Sequence, residues 1–255
     1  MSTSEQSHRA ERDPRLKLYP ILQRALRATR EGQLLDGALF DQLIERTRPA
    51  VSVEEGEVLF RMGDPAATVF VVQAGILKGE VTDSSGRSQV ADFHLSGDFV
   101  DIQSFCTLRR ETTVSAITTS RVVAIDLHGL LELARGDAVL QDALHRAVGR
   151  ELLKLDHLIF LVGRKTVAAR IAAFYLDLAQ RLAALGNSPT RLYFPALRAD
   201  IASHLMMDPA TFTRGFRQLE REALLSGEGA DITLLDTMGL KRLAGDIPPP
   251  VDGDA

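Results

Sequence analysis

The sequence predicts an α+β protein in which an antiparallel β-roll is followed by a long helix and then by a winged helix-turn-helix. Three observations predict this order. Short stretches rich in β-branched and aromatic residues alternate with turn residues between Glu57 and Asp126. A helical pattern then continues almost without interruption to about Ala184. After Arg198, two short helical stretches with almost no linker are followed by a hairpin pattern.

Composition excludes several classes of protein. The chain has 255 residues, of which 45% are hydrophobic and 25% charged, as in ordinary globular domains. Its single cysteine, Cys106, excludes a disulfide framework and any four-cysteine zinc or iron–sulfur site within one chain. No apolar run reaches the ~18 residues that cross a bilayer, and the N-terminus is polar where a secretory signal would be apolar. We therefore expect a cytoplasmic protein that does not enter a membrane.

The N-terminal segment is predicted to be an extension followed by one helix. Residues 1–30 are polar and rich in arginine, and only Leu16 to Leu26 suggests a short helix there. From Leu34 to Arg46 apolar residues recur at helical spacing and predict a helix with one apolar face. These residues are Leu34, Leu35, Leu39, Phe40, Leu43 and Ile44.

Residues 31–135 are predicted to form the β-roll. The predicted strands are Glu57–Arg61, Thr68–Ala74, Ile76–Thr82, Ser88–Leu95, Thr113–Ile117 and Arg121–Asp126. Glycines separate them, and the sequence Asp83-Ser84-Ser85-Gly86 predicts a hairpin loop. We expect closure into a roll or barrel of about eight strands, because closure protects strand edges.

The long helix is predicted over Leu140–Arg164, and we assign residues 136–163 to dimerisation. Its apolar residues step by 4, 4, 3, 4 and 3 positions, the spacing of a coiled-coil seam about three heptads long. They are Leu144, Val148, Leu152, Leu155, Ile159 and Val162. The helix would be ~37 Å long at 1.5 Å per residue, so only part of it can lie against the roll. We therefore favour a homodimer over the alternative, in which the whole stripe packs on its own roll.

The last predicted domain, residues 164–246, contains a helix-turn-helix. A helix over residues 165–185 is ended by Gly186-Asn187-Ser188-Pro189. Helices over Arg198–Leu205 and from Pro209 to about Leu225 then have helix-turn-helix spacing, and Asp208 is a suitable N-cap for the second helix.

A wing is predicted after the second of these helices. Leu224–Asp236 has the pattern of a hairpin, and Thr237–Ala244 that of a last short helix. Residues 247–255 are treated as a flexible tail.

Charge along the chain favours DNA as the partner of this domain. Residues 163–246 carry 11 Lys and Arg against 9 Asp and Glu, whereas residues 1–162 carry 19 against 23. On the second helix, Arg214, Arg217 and Arg221 lie at i, i+3 and i+7, opposite the apolar face. An arginine can read guanine bidentately in the major groove of double-stranded DNA. The alternative is a basic face that contacts only solvent.

The chain resembles the CRP/FNR family of bacterial transcription regulators over about residues 34–246. The resemblance rests on the order of the elements and on a few segments. These are VEEGEVLFRMGD (53–64), GDFV (97–100), VGRKT (162–166) with RIA (170–172), and DIA (200–202) with TFTR (211–214). It implies a cupin-like β-roll sensory domain, a dimerisation helix, and recognition helices that enter a palindromic operator about one turn apart. It also implies RNA polymerase as a partner of the homodimer.

The resemblance also implies roles in DNA binding for individual residues. Arg198, Thr211 and Arg214 match positions that the family uses for DNA. We expect Arg214 to contact a base and Arg217 a base or a nearby phosphate, whereas Arg198, Thr211 and Thr213 hold the DNA backbone.

Two residues of the helix-turn-helix depart from the family pattern. Ala210 stands where the family usually has a glutamate, so a carboxylate that accepts from a cytosine amine is missing. Met206 stands where the turn normally has glycine, and keeping a positive φ there would cost of order 1 kcal/mol. The operator is therefore expected to differ from that of typical members.

The candidate effector pocket departs from the family as well. Cyclic-nucleotide binders that resemble this chain carry Gly-Glu and Arg-Ser around the phosphate and ribose, where this chain has Asp101-Ile102 and Arg110-Glu111. Glu111 would set an anion against the phosphate, and Ile102 cannot accept the ribose hydroxyl. We expect cyclic AMP to bind weakly or not at all, and we retain Asp101, Arg110 and Glu111 as the candidate pocket for another effector.

Other chemistry finds little support in the sequence. No cysteine precedes Cys106, which excludes an N-terminal iron–sulfur cluster of the kind found in oxygen-sensing members. Cys106, beside Phe105 and Leu108, is typical of a small core residue, with a redox switch as the alternative. The histidines lack metal-ligand spacing, and no nucleophile, base and orienting group are grouped as in an enzyme. We expect no catalytic residues, no metal and no cofactor.

The sequence thus predicts a homodimeric, DNA-binding transcription regulator controlled by an unidentified signal or by its own abundance. The alternative is an effector-binding signalling module whose C-terminal domain contacts a protein. Ala210, Met206 and the modest charge of the C-terminal domain favour that alternative.

Overall fold

The computed structural model describes residues 18–26 and 37–245. The chain divides into two compact units: one contains the residues up to Ser88 together with Asp92–Gly149, and the other contains Gln89–Ala91 together with the residues from Arg150 onward. Predictions for residues 1–17, 27–36 and 246–255 lie outside the described residues. These include most of the N-terminal extension, the start of the helix at Leu34, and the C-terminal tail.

The first unit contains the predicted roll. Its helices α1 and α2 cover Tyr19–Leu26 and Gly37–Glu45. Its strands are β1 (Val51–Val53), β2 (Val58–Phe60), β3 (Thr68–Ala74), β4 (Leu77–Thr82), β5 (Ser88–His94), β6 (Phe99–Val100), β7 (Thr113–Ala116) and β8 (Ser120–Asp126), with a one-turn helix, α3 (Ser104–Thr107), after β6. All six strands predicted from the sequence are present, and the expected number of strands is confirmed.

The strands form two four-stranded sheets, in the orders β1-β8-β3-β6 and β2-β7-β4-β5. In the first sheet β3 and β8 are antiparallel, with Val69 opposite Ile125 and Val71 opposite Val123. Because side chains alternate along a strand, these four residues share one face and join a cluster with α1 and α2. Val72 faces the other way, into a cluster with residues of both sheets. The roll therefore has one core between its sheets and one beneath its helices.

The predicted long helix is confirmed. Helix α4 covers Leu127–Gly136, and α5 covers Ala138–Arg164, 27 residues. The side chain of Asp126 caps α4 by accepting the Gly129 N–H at 2.6 Å. Asp137 accepts the Leu140 N–H at 2.9 Å, so each helix begins at an aspartate that satisfies a free backbone donor.

The second unit contains the predicted winged helix-turn-helix. Its elements are α6 (Val167–Ala183), β9 (Arg191–Tyr193), α7 (Arg198–His204), α8 (Pro209–Arg221), β10 (Leu225–Glu228), β11 (Asp231–Leu234) and α9 (Thr237–Ala244). The hairpin of β10 and β11 is the predicted wing, and β9 adds a third strand that the sequence did not predict. No helix among the described residues combines the length and the apolar character needed to span a bilayer.

Candidate nucleic-acid interface

Helix α8 begins as its sequence predicts. Asp208 is the N-cap, and one of its carboxylate oxygens accepts the Thr211 N–H at 2.8 Å. Pro209 occupies the first turn, where its missing N–H leaves no hydrogen bond unmade. The start of the helix is therefore fixed by local chemistry.

Burial of one face of α8 determines what the other face exposes. Phe212, Phe216 and Leu219 are fully buried. Gly215 lies so close to α6 that an added Cβ would be 2.6 Å from Val167 Cγ1. The opposite face exposes Ala210, Arg214, Arg217 and Arg221. The predicted arginine face is present and accessible.

The Thr211 side chain links Asp208 to Arg214. Its Oγ1 lies 2.5 Å from Asp208 Oδ2 and 2.8 Å from Arg214 Nη2. The hydrogen bond from the Thr211 hydroxyl, together with that from its backbone N–H, lowers the pKa of the Asp208 carboxyl below its ordinary value. At neutral pH the carboxylate is therefore ionised and accepts both bonds.

Two further residues expected at the DNA backbone also have partners within the second unit. Thr213 Oγ1 donates to the Pro209 carbonyl oxygen at 2.8 Å, one helical turn back. Arg198 Nη2 donates to the Gly227 carbonyl oxygen at 3.2 Å, and its guanidinium carbon lies 4.5 Å from the centre of the Phe216 ring. Arg198 thus connects the first helix of the helix-turn-helix to both the wing and the second helix.

Met206 adopts the turn conformation that its position requires. Its φ is +53°, in the left-handed region that disfavours residues with a Cβ. Its N–H donates to the Ser203 carbonyl oxygen at 2.9 Å, and 49% of the residue is exposed. The turn between α7 and α8 therefore keeps the positive φ without a glycine.

The apolar stripe of α5 has two parts. Leu144 is buried in the core beneath the roll's helices, and Val148 packs against the same core. Leu152, Leu155 and Ile159 are 58%, 48% and 65% exposed, and Val162 is half-buried. The assignment of Leu144 to a surface between two chains is corrected, because its own chain already buries it, whereas Val148 is half-buried and its place in that surface stays a prediction.

The candidate effector pocket contains a buried ion pair. Arg110 Nη1 lies 3.4 Å from Asp101 Oδ2, with side chains 4% and 0% exposed. The Arg110 guanidinium carbon lies 4.2 Å from the Phe60 ring centre and 5.1 Å from that of Phe70. Its Nη2 donates to Thr68 Oγ1 at 3.1 Å. These contacts bring together residues far apart in sequence, and no local pattern had indicated Phe60, Phe70 or Thr68.

Burial dominates the electrostatics of this pair. It raises the pKa of Asp101 above the ordinary value, against the effect of the Glu111 N–H and of Arg110. It also lowers the pKa of Arg110, against the attraction of Asp101. The Glu111 backbone N–H donates to Asp101 Oδ1 at 3.2 Å, whereas the Glu111 side chain is only half-buried. Arg110 is thus committed to partners inside the roll.

The remaining predictions concern Cys106 and metals. Cys106 is exposed on α3, so the interpretation of this cysteine as a core residue is wrong. Ile102, which follows Asp101, is 4% exposed and belongs to the core beneath the helices. Within residues 18–26 and 37–245, no three His, Cys, Asp or Glu side chains are grouped as metal ligands.

The fold and the exposed arginine face define a class: transcription regulators with a β-roll, a long helix and a winged helix-turn-helix. Residues 50–137 match the family model described as Cyclic nucleotide-binding domain, and residues 169–243 match that of the Crp-like helix-turn-helix domain.

Curated relatives specify the family. Transcriptional activator protein FnrA from Stutzerimonas stutzeri is 32% identical over 205 residues, which are 80% of this chain and 83% of that protein. Transcriptional regulatory protein btr from Bordetella pertussis is also 32% identical, over 80% of this chain and 85% of its own. The chain therefore belongs to the CRP/FNR family of transcription regulators.

Solved structures agree in fold. FixK2 from Bradyrhizobium japonicum superposes with a TM-score of 0.70 at 25% identity, covering 78% of this chain and 98% of its own. The c-di-GMP responsive global regulator CLP from Xanthomonas campestris has a TM-score of 0.63 at 20% identity, covering 78% and 99%. At that identity the second likeness concerns the fold alone.

Proposed function

We propose that α8 reads base edges in the major groove of double-stranded DNA through Arg214 and Arg217, without catalysis. The single observation that carries the proposal is the exposure of both arginines on the face opposite the buried Phe212 and Phe216. A helix seated on that apolar face presents its guanidinium groups outward, and each can bind guanine O6 and N7 bidentately.

Contacts to the DNA backbone are a further part of the proposal. The hydrogen bond from Arg198 to Gly227 uses one of the five N–H donors of its guanidinium, which leaves others for a phosphate. Thr213 reaches a phosphate only if its hydroxyl leaves the Pro209 carbonyl oxygen. Arg198 is therefore the stronger candidate of the two for a sequence-independent contact.

Selection from random DNA tests the function. The full-length chain is incubated with a library of random duplexes, and bound duplexes are recovered and sequenced at several salt concentrations. We expect one enriched motif with two inverted half-sites. The logarithm of the binding constant should fall linearly with the logarithm of the salt concentration, with a slope of about −0.9 for each phosphate contacted. Binding of a protein partner without enrichment of any duplex would favour the signalling module over the DNA-binding regulator.

We infer that the exposed part of the α5 stripe pairs with the same stripe of a second chain. Leu152, Leu155 and Ile159 are large apolar side chains at seam spacing on a single helix. Because each is already about half covered within its own chain, covering the rest would contribute about 1–2 kcal/mol per residue. A two-fold dimer would also present two copies of α8, which a palindromic operator requires.

A charge in the seam is predicted to separate the dimer. Ile159→Asp places a carboxylate in the proposed interface, so we expect sedimentation equilibrium to show monomers where the wild-type chain forms dimers. Asp156→Asn, at an exposed position of the same helix, is the matched control and should remain dimeric. A wild-type chain that is monomeric at micromolar concentration would contradict the inference.

The roll is proposed not to bind cyclic nucleotides through Arg110. Asp101, Thr68 and the two phenylalanine rings already hold its guanidinium, and an incoming phosphate would have to replace a buried carboxylate. Calorimetric titration with cyclic AMP is expected to give no heat of binding. A micromolar Kd would contradict this. Control by an unidentified signal or by the abundance of the protein itself remains the proposed mode of regulation.

The cellular setting completes the proposal. Relatives named as transcriptional activators favour RNA polymerase as a partner of the DNA-bound dimer. The cytoplasm is the proposed location, because the chromosome of a bacterium lies there. Recovery of RNA polymerase with the dimer on the enriched duplex, against a scrambled duplex as control, tests this partner.

A further inference from the structure

We propose that Thr211 is a positioning residue, whose hydroxyl fixes the Arg214 guanidinium for reading a base and does not hold a phosphate. This rests on the proposed function, because it assigns a role within the same surface of α8. It also replaces the backbone contact that the sequence suggests for Thr211.

The direction of the two hydrogen bonds carries the argument. A carboxylate can only accept and a guanidinium can only donate. The single Thr211 proton therefore points to Asp208, 2.5 Å away, and its lone pairs accept from Arg214 Nη2 at 2.8 Å. A DNA phosphate can also only accept, so the hydroxyl has no second proton for it. Binding a phosphate would require Thr211 to release Asp208.

The anchor is part of the helix itself. Asp208 is held by the backbone N–H of Thr211 as well as by its hydroxyl, so the carboxylate that fixes the hydroxyl is tied to the first turn of α8. An exposed arginine otherwise samples many rotamers, and ordering it on binding costs conformational entropy. The bond to Thr211 uses one of five donors and orders the side chain before DNA arrives.

The residue before Thr211 does not compete with it for the Arg214 guanidinium. Ala210, exposed on the same turn, has no polar group that could bind the guanidinium. The orientation of the Arg214 guanidinium is therefore set by Thr211 and not by the side chain at position 210.

The experiment compares two threonine variants on two duplexes. The probes are the duplex enriched from the random library and a scrambled duplex of equal length. Thr211→Val removes the hydroxyl at nearly constant volume, and we expect its Kd for the enriched duplex to rise about tenfold while its Kd for the scrambled duplex changes less than about twofold. Thr211→Ser keeps the hydroxyl and is expected to stay within about threefold of the wild type on both duplexes.

Two more variants make the test specific for Arg214. In an Arg214→Ala background, Thr211→Val is expected to add less than about twofold, because residues that act as one unit are not additive. Asp208→Asn keeps a good N-cap but removes one of the two acceptors, and it should lower the ratio of the two affinities about threefold. If Thr211→Val lowers the melting temperature of the domain, the affinity ratio of Asp208→Asn still tests the proposal.

Each possible outcome either supports or overturns the positioning role of Thr211. Equal weakening on both duplexes with a shallower salt slope would make Thr211 a phosphate contact and overturn the proposal. No change in the ratio for either Thr211→Val or Asp208→Asn would also overturn it. If the wild-type chain enriches no duplex, the proposed function itself fails, and that result is seen before any variant is made.

Discussion

An aspartate and an arginine interact in the roll and again in the helix-turn-helix, but the first pair is buried and the second is exposed. In the roll, Asp101 and Arg110 meet directly, and both side chains are almost fully buried. In the helix-turn-helix, Asp208 and Arg214 meet through the Thr211 hydroxyl, and both residues are exposed. The same residue types thus withdraw one arginine from ligands and present the other to them.

The difference teaches that burial, and not the mere presence of an arginine in the sequence, decides whether its guanidinium is available to a ligand. The Phe60 and Phe70 ring centres lie 4.2 and 5.1 Å from the guanidinium carbon of Arg110 and attract the cation. Arg214 donates a hydrogen bond to Thr211 and projects from a helix that packs by its opposite, apolar face. The roll and the helix-turn-helix therefore use the same two residue types in different ways.

Removing the buried arginine should have the largest effect. Arg110→Met leaves the Asp101 carboxylate buried without its cation, so we expect a loss of about 3–5 kcal/mol in the free energy of unfolding, measured with urea. Arg109→Met, at the exposed arginine one residue earlier, should cost less than about 1 kcal/mol.

A double variant tests whether the unpaired charge of Asp101 causes this loss of stability. Combining Arg110→Met with Asp101→Asn removes the unpaired charge, and Asn tolerates the φ of +60° at this position. The double variant should therefore be more stable than Arg110→Met alone. Equal stability of Arg110→Met and the wild type would contradict the claim that the pair is buried and coupled.

Two left-handed residues extend the comparison. Asp101 has a φ of +60° and Met206 a φ of +53°. Met206→Gly removes a Cβ from a disfavoured conformation and is expected to raise the free energy of unfolding by up to about 1 kcal/mol. Met206→Ala keeps the Cβ and should give no such gain.

The comparison predicts the reverse sign at the buried position. Asp101→Gly relieves the same backbone strain but removes the partner of Arg110, so it should destabilise the roll. Denaturant unfolding of the two glycine variants side by side checks both signs. A loss of stability in Met206→Gly would show that the methionine side chain contributes more than its conformation costs.

Much of the fold could be predicted from the sequence because its signals are local. Asp208-Pro209 marks the start of α8, and the glycines of the roll mark its turns. The additional strands β1, β6 and β9 have two or three residues each, too short for a period to be visible. They are strands because neighbouring strands offer them hydrogen bonds.

The site was harder to predict, because its side chains find partners across distance. The sequence indicated the arginine face of α8, but Arg198 lies 29 residues from its hydrogen-bond partner Gly227. Arg110 and Thr68 are 42 residues apart. The stripe of α5 was assigned to one surface, whereas tertiary packing buries Leu144 and leaves Ile159 exposed. Periodicity identifies a face but not what covers it.

The affinity ratio between the enriched and scrambled duplexes tests the central claim most directly, when it is measured for Arg214→Ala and Arg198→Ala. If Arg214 reads a base, its loss should reduce the discrimination free energy, which is RT times the logarithm of that ratio, by about 1–3 kcal/mol. Loss of Arg198 should weaken binding to both duplexes similarly and flatten the salt dependence. Equal losses on both duplexes for Arg214→Ala would mean that this arginine reads no base and would contradict the account.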